Sequence, residues 1–342
     1  MDIDRYIALN EPAWQRLDEL VARAGRPVTK LSTDELDELV RLYQRTSAQL
    51  SHVRTHFRDA PLADRLTMSV ARARAVIYAG KRQGALQSLA TFFSLTFPAA
   101  LYRARWFVLV SALLTFGPAI GVALWLLSDP AALEASGTAS ERQVYVNDLF
   151  EQYYSDRSPW QFFGEVTLNN VWVAFLTFAG AATIGAFSVT VLASNGWYLG
   201  QTAAWMHEGG SAERFWGFIL PHGMLELSAI VVAGAAALQL AWAIIAPGDR
   251  SRGDALREVG QQSAAIVLGV IAWFVVAGLV EGFVTGRGFP PAARIGIGAI
   301  VWFSAVIYIV IRGGEAVRRG VTGALGGEPR TWQDEPTLTP AR

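Results

Sequence analysis

Apolar residues in this chain gather into long blocks, and the blocks lie almost entirely behind residue 105. Trp106–Leu127 runs for 22 residues without a charge. At about 1.5 Å of rise per helical residue, that is long enough for a hydrocarbon core of roughly 30 Å. Val171–Leu192 is likewise uncharged, Met224–Ala246 and Ser263–Val284 carry one glutamate each, and Ile295–Ile311 is shorter and uncharged. The pattern predicts an all-α, polytopic helical membrane protein with about five transmembrane helices. Asn195–Phe215 is moderately apolar and opens on an Asn-Gly breaker, so it reads as a re-entrant or broken helix enclosed by the bundle.

The front of the chain has a different texture. Residues 1–105 hold 16 Lys/Arg and 11 Asp/Glu and read as a helical region ending in an interfacial helix. Ser32-Thr33-Asp34-Glu35 fits a capping box, after which Leu36, Leu39, Val40 and Tyr43 repeat at helical spacing. A second helix is expected from about Leu62 to Ala79. Leu86–Tyr102, rich in Leu and Phe, reads as a helix lying along the membrane surface, with Pro98 as its breaker. Met1–Trp14 has charges where a signal peptide would have its apolar core, so the start reads as mature protein.

Charge sets the sides. Arg103 and Arg105 precede the first apolar block, whereas the loop 128–167 carries Asp129, Glu134, Glu141, Asp148, Glu151, Asp156 and Glu165 against Arg142 and Arg157. By the positive-inside rule the N-terminus is cytoplasmic, in a multi-pass protein of the cell membrane, and the loop is outside. Five crossings then strand Arg250, Arg252, Arg257, Arg312, Arg318 and Arg319 on the outer side; an even count suits them better. The loop is also aromatic, and Tyr153, Tyr154 and Trp160 are its candidates for docking a partner, the alternative being an interfacial belt. The bundle is expected over 106–312, and 313–342 reads as a disordered tail.

Composition narrows the chemistry. The chain has 342 residues, 52% hydrophobic and 17% charged, too apolar for an ordinary soluble domain of this size. Lys+Arg and Asp+Glu are 29 each, so no excess of positive charge points to nucleic acid. The absence of cysteine excludes disulfides, thiolate metal sites and cysteine nucleophiles. His52 and His56 share a helical face, but Val53 stands where a zinc protease would carry glutamate. No HExxH, GxSxG or GxxxxGK[ST] occurs, and no aspartate lies in an apolar block. The expectation is no catalytic residue, no cofactor and no metal.

What remains is a small set of intramembrane ionisable groups. Pro221-His222-Gly223-Met224-Leu225-Glu226 leads into the third block and puts His222 and Glu226 one helical turn apart. Pro221 is expected to break the helix and Gly223 to admit a neighbouring backbone. Glu281 stands near the end of the fourth block. Three uses stay open for His222, Glu226 and Glu281: locking helices together, binding a lipid headgroup or small solute, or relaying protons. His222, Thr285, Asn170 and Gln201 are the expected partners of the two glutamates.

The segments Leu220-Pro221-His222-Gly223-Met224-Leu225-Glu226-Leu227 and Glu281-Gly282-Phe283-Val284-Thr285, behind a helical front, one apolar block and an external loop, resemble the stage II sporulation protein M family of bacterial integral membrane proteins. Ser228 stands where that family usually has proline. The resemblance implies a noncatalytic membrane component, a scaffold or assembly factor organising peptidoglycan-remodelling enzymes or other membrane proteins. The bilayer is its obligatory partner, and self-association is left open. The alternative is a transporter or lipid-handling protein working through His222, Glu226 and Glu281.

Overall fold

The structure, a computed structural model, describes residues 2–24, 31–57, 59–77, 85–155, 158–285 and 288–326. Among these residues there is no strand. They form two compact units, divided between Ser88 and Leu89.

The first unit contains α1 (Ile3–Ala24), α2 (Thr33–His52) and α3 (Ala60–Ile77). Ser32 caps α2 as its sequence predicts: its hydroxyl accepts from the Glu35 N–H, and the Glu35 carboxylate accepts from the Ser32 N–H. Trp14, Leu17, Leu20, Leu39 and Leu66 fill the core. The Trp14 indole donates to Gln49 Oε1 at 2.8 Å, so the largest buried side chain leaves no polar atom unpaired. His52 and His56 stack at 4.2 Å on the exposed surface.

The second unit begins within α4 (Ala85–Thr91), which leads into a π-helical turn over Phe92–Thr96. The surface helix read from Leu86–Tyr102 has two different halves. Leu86–Ala90 is exposed, while Phe97–Leu101, in α5 (Phe97–Arg103), is buried. Pro98 does not break the chain there: Thr96 and Phe97 keep right-handed helical geometry, so the π-helical turn runs on into α5 with Pro98 in its first turn.

Beyond α5 run α6 (Arg105–Ser128), then the short helices α7 (Pro130–Ser136), α8 (Ala139–Val144) and α9 (Phe150–Ser155), and then α10 (Pro159–Ala179), α11 (Ala186–Glu208), α12 (Ala212–Ile245), α13 (Arg252–Val280), α14 (Pro291–Tyr308) and α15 (Gly314–Arg318). Five helical stretches, 105–128, 159–183, 212–245, 252–285 and 291–318, are long and apolar enough to cross a membrane. Their number agrees with the hydropathy pattern. α12 is the central one, packed against α6, α10, α11, α13 and α14, with Val231–Ala237 buried without interruption.

One boundary is different. The apolar block Val171–Leu192 is not a single span: the chain turns at Ile184 and Gly185, both in the left-handed region at φ 54° and 85°. Gly185 accepts that conformation at no steric cost; a β-branched residue beside it is unusual. Hydropathy missed the turn because no residue around it is charged. The remainder of the block belongs to α11, which runs unbroken through Asn195-Gly196, so Asn195–Phe215 is not a re-entrant segment. At 23 residues, α11 is about 35 Å long.

The packing shows which way α11 runs. A Cβ on Gly196 would lie 2.0 Å from the Thr115 carbonyl oxygen, and one on Gly200 2.2 Å from that of Ala119. Pairing in ascending order makes α6 and α11 parallel, in backbone contact that only glycine permits. The two ends of the bundle also meet. Arg103 Nε donates to the Val321 carbonyl at 3.2 Å, the Tyr308 hydroxyl to the Phe93 carbonyl, and Gly313 abuts Pro98. The first long helix therefore starts at the same end where the last one finishes, which requires an even number of traverses. The five most apolar stretches and α11 make six.

The expected tail is ordered in part. α15 is helical, and Gly323 lies against the Ala100 backbone; residues 327–342 lie outside the described residues.

Candidate functional site

α12 and α13 are antiparallel and joined by two buried polar clamps. At one end Gln239 Nε2 donates to Ser263 Oγ at 2.8 Å, and Ser263 Oγ donates to the Ala236 carbonyl at 3.0 Å. Toward the other end, His222 Nε2 lies 3.5 Å from Glu281 Oε1, and His222 Nδ1 lies 3.2 Å from Thr285 Oγ1. Glu226 completes the group: one ligand-type atom from each of His222, Glu226 and Glu281 falls within 4.8 Å of the others. The three side chains singled out in the sequence are thus one cluster.

Local structure explains the arrangement. Pro221 does not break α12, which is helical from Ala212 to Ile245, so His222 and Glu226 keep their one-turn spacing. Glu281 opens a π-helical turn, Glu281–Thr285, a local widening common at functional positions. Close backbone approach occurs at Pro221, whose carbonyl oxygen would be 2.1 Å from a Cβ on Gly298 of α14. It does not occur at Gly223, where a Cβ would meet only the Ile219 side chain, at 3.2 Å.

The surroundings are closed. His222 is 5% exposed, Glu281 3% and Thr285 0%; Glu226 is partly buried and hydrogen-bonded by the Asn170 side chain of α10. Glu281 Oε2 has no hydrogen-bond partner. Arg294 of α14 donates Nη1 to the Thr285 carbonyl at 2.7 Å, and its guanidinium sits 4.5 Å from the Phe218 ring centroid. Arg294 was not visible as a site residue because it stands just before the apolar block that begins at Ile295. Its i,i+4 spacing to Gly298 is the signal that places both on the α12 side of α14. Gln201 takes no part: it donates to the Ser136 carbonyl at 3.2 Å and helps Trp205, bonded to Ser136 Oγ at 2.9 Å, hold α7 onto α11. Ser228 accepts from Trp302 Nε1 of α14 at 2.9 Å while donating to the Met224 carbonyl.

Two apolar clefts, of about 500 and 400 Å³, flank α12 and share Phe116, Ser228 and Trp302; neither is lined by His222, Glu226 or Glu281. The aromatic loop residues separate as well. Tyr153 and Trp160 are 48% and 67% exposed. Tyr154 is buried with Phe150, Phe162, Phe215 and Phe218, its ring centroid 6.0 Å from that of His222. Burial pushes its hydroxyl well above the ordinary tyrosine range. It packs over the cluster and offers no surface to a partner.

A polytopic helical membrane bundle with a buried polar clamp is the class these features define. The model of the stage II sporulation protein M family matches residues 112–286, and the chain belongs to that family. A domain of unknown function, DUF8413, matches residues 4–79, the three-helix front. Searches of curated proteins and of solved structures found no match.

Proposed function

We propose that this protein is a noncatalytic membrane scaffold of the cell envelope that organises peptidoglycan-remodelling or other membrane partners. The observation that carries the reading is the closed setting of His222, Glu226 and Glu281. Their contacts run between α10, α12 and α13, and neither of the two apolar clefts reaches them, so the contacts they make join helices. A transport site would need the same groups on a water-accessible path. Exposed Tyr153 and Trp160 supply an aromatic surface on the loop side.

Six traverses give a charge distribution that five do not. With Arg103 and Arg105 inside, Arg250, Arg252, Arg257, Arg312, Arg318 and Arg319 all fall inside too, and the acidic loop is outside. N- and C-termini are then both cytoplasmic. The chain has no cysteine, so single cysteines report sidedness without background. In intact cells a membrane-impermeant maleimide should label Ser140→Cys and leave Ser251→Cys unlabelled; labelling of Ser251→Cys would refute the six-helix topology.

The scaffold role is tested by affinity purification of the full chain in mild detergent, followed by mass spectrometry. An envelope enzyme should co-purify reproducibly and be lost in the Tyr153→Ala/Trp160→Ala variant. The absence of any reproducible partner would count against the role, and retention in the double variant would move the docking surface elsewhere.

A further inference from the structure

We propose that His222, Glu226 and Glu281 form a binding site for a divalent transition-metal cation of the Zn²⁺ type, which ties α12 to α13 inside the bundle. This does not depend on the scaffold role, and its test reads a different quantity.

The buried, unpartnered oxygen of Glu281 beside two further ligand-type side chains carries the argument. Thr285 Oγ1 lies 3.4 Å from the Val280 carbonyl and 3.2 Å from His222 Nδ1; with its single proton on the Val280 carbonyl, Nδ1 is the donor toward Thr285. In the neutral imidazole, Nε2 then presents a lone pair, and what it faces at 3.5 Å is a carboxylate oxygen, Glu281 Oε1. Two acceptors face each other, and the second oxygen of Glu281, nearly without solvent contact, has no partner at all. Glu226 adds a second carboxylate within 4.8 Å. Something positive belongs between them.

The geometry suits a metal ion. Three atoms mutually within 4.8 Å can all be reached from one point no more than about 2.8 Å away. Ligand bonds to Zn²⁺ are about 2.0–2.2 Å, so side-chain shifts of well under 1 Å would close the site. Two ligands of a tetrahedral ion at such bond lengths stand about 3.4 Å apart, and the His222–Glu281 separation of 3.5 Å is already that. The donation of the other ring nitrogen to Thr285 is the outer-shell hydrogen bond that ligating histidines use to fix their tautomer. One imidazole and two carboxylates favour Zn²⁺ or a neighbouring transition ion over Mg²⁺ or Ca²⁺, which prefer oxygen alone. The charge also balances: two neighbouring carboxylates, that of Glu281 buried, are neutralised by one divalent ion. Arg294 does not do this, since its described contacts go to the Thr285 carbonyl and the Phe218 ring.

The test starts from the His52→Ala/His56→Ala chain, so that the exposed, stacked pair His52 and His56 contributes no metal ligand to the reading. The full chain is purified in detergent with chelator, exchanged into buffer and dialysed against Zn²⁺ alone. About one Zn²⁺ per chain should be retained, and the thermal midpoint should rise with Zn²⁺ and fall with chelator. Co²⁺ in its place should give the visible absorption of a low-coordinate site. Glu281→Gln and His222→Gln should abolish retention, and Thr285→Val should weaken it about 10- to 100-fold. Substoichiometric Zn²⁺, a thermal midpoint indifferent to Zn²⁺ and chelator, and no Co²⁺ band would overturn the proposal. That outcome would mean that a proton shared with Glu281 fills the gap. These three readings need no cluster variant, so they decide the question even if Glu281→Gln fails to fold.

Discussion

The described residues of the front unit and the membrane bundle are both all-helical, yet they are held together in different ways. In the front, large side chains fill the space between helices: Trp14, Leu17, Leu20, Leu39 and Leu66 are buried. Its surface carries ion pairs such as Arg16–Glu38 at 3.0 Å and Arg23–Glu35 at 2.7 Å. In the bundle many alanines share the interior, and large apolar side chains also face outward. The interior interleaves Ala100, Ala104, Ala174, Ala229, Ala233, Ala236 and Ala265 with larger residues such as Phe97, Leu192, Ile266 and Phe274, and Leu113, Ile120, Leu124, Leu168 and Ile300 face outward, each at least 60% exposed. Water drives large apolar side chains together. Lipid is as apolar as they are, so helices in it associate through close backbone contact and buried hydrogen bonds. The comparison shows two solvents acting on one chain.

That contrast can be broken at named positions. The largest effect is expected from Gly200→Leu, because the new Cβ would fall 2.2 Å from the Ala119 carbonyl oxygen, a backbone atom that cannot swing aside. A loss above about 4 kcal/mol is expected, read as failure to recover monodisperse protein in detergent; a normal elution profile would contradict the α6–α11 packing. Next is Trp14→Ala, which empties the front core at a cost of about 3–5 kcal/mol. Hydrogen exchange should accelerate throughout α1–α3 while amides in α12 and α13 keep their protection. The same change in both regions would contradict the division into two units.

The smallest effect is electrostatic and confined to the front. The Arg65 hydrogen bond lowers the Glu11 carboxyl, the Ser32 N–H that of Glu35, and the Arg16 hydrogen bond that of Glu38, all below the ordinary carboxylate range. A folded-state value below the unfolded one contributes stability that is complete above the ordinary range and is lost as pH falls through the depressed values. Protection factors in α1 and α2, corrected for intrinsic exchange, should therefore decline modestly between about pH 5 and pH 3. No decline would mean the pairs are too solvated to matter.

Most of the site was legible before any coordinates. His222, Glu226 and Glu281 stand out because ionisable residues in apolar blocks are costly and rare, and all three lie within the residues the family model matches. Their proximity was legible only for His222 and Glu226, which share a helix. Glu281 joins them through the antiparallel pairing of α12 with α13, a contact across 59 residues of chain. Arg294 and Gly298 were missed because nothing local distinguishes an arginine at a helix start that turns inward from one that stays in solvent. Pro221 misled in the opposite direction. A proline is expected to break a helix, but in a helix packed on five neighbours the lost hydrogen bond is a minor term.

By itself, the sequence determined the helical class, the five most apolar stretches, the capped front and the identity of the buried ionisable groups. Each of those follows from local periodicity, block length or the cost of a charge in lipid. Tertiary structure alone decided that a turn at Ile184-Gly185 splits one apolar block in two, that α11 is a full traverse seated on α6, and that the chain's two bundle ends meet. Hydropathy averages over a window and cannot register a reversal within uniformly uncharged residues, whereas the contact of Gly196 and Gly200 with the α6 backbone, and of Arg103 with Val321, registers it directly.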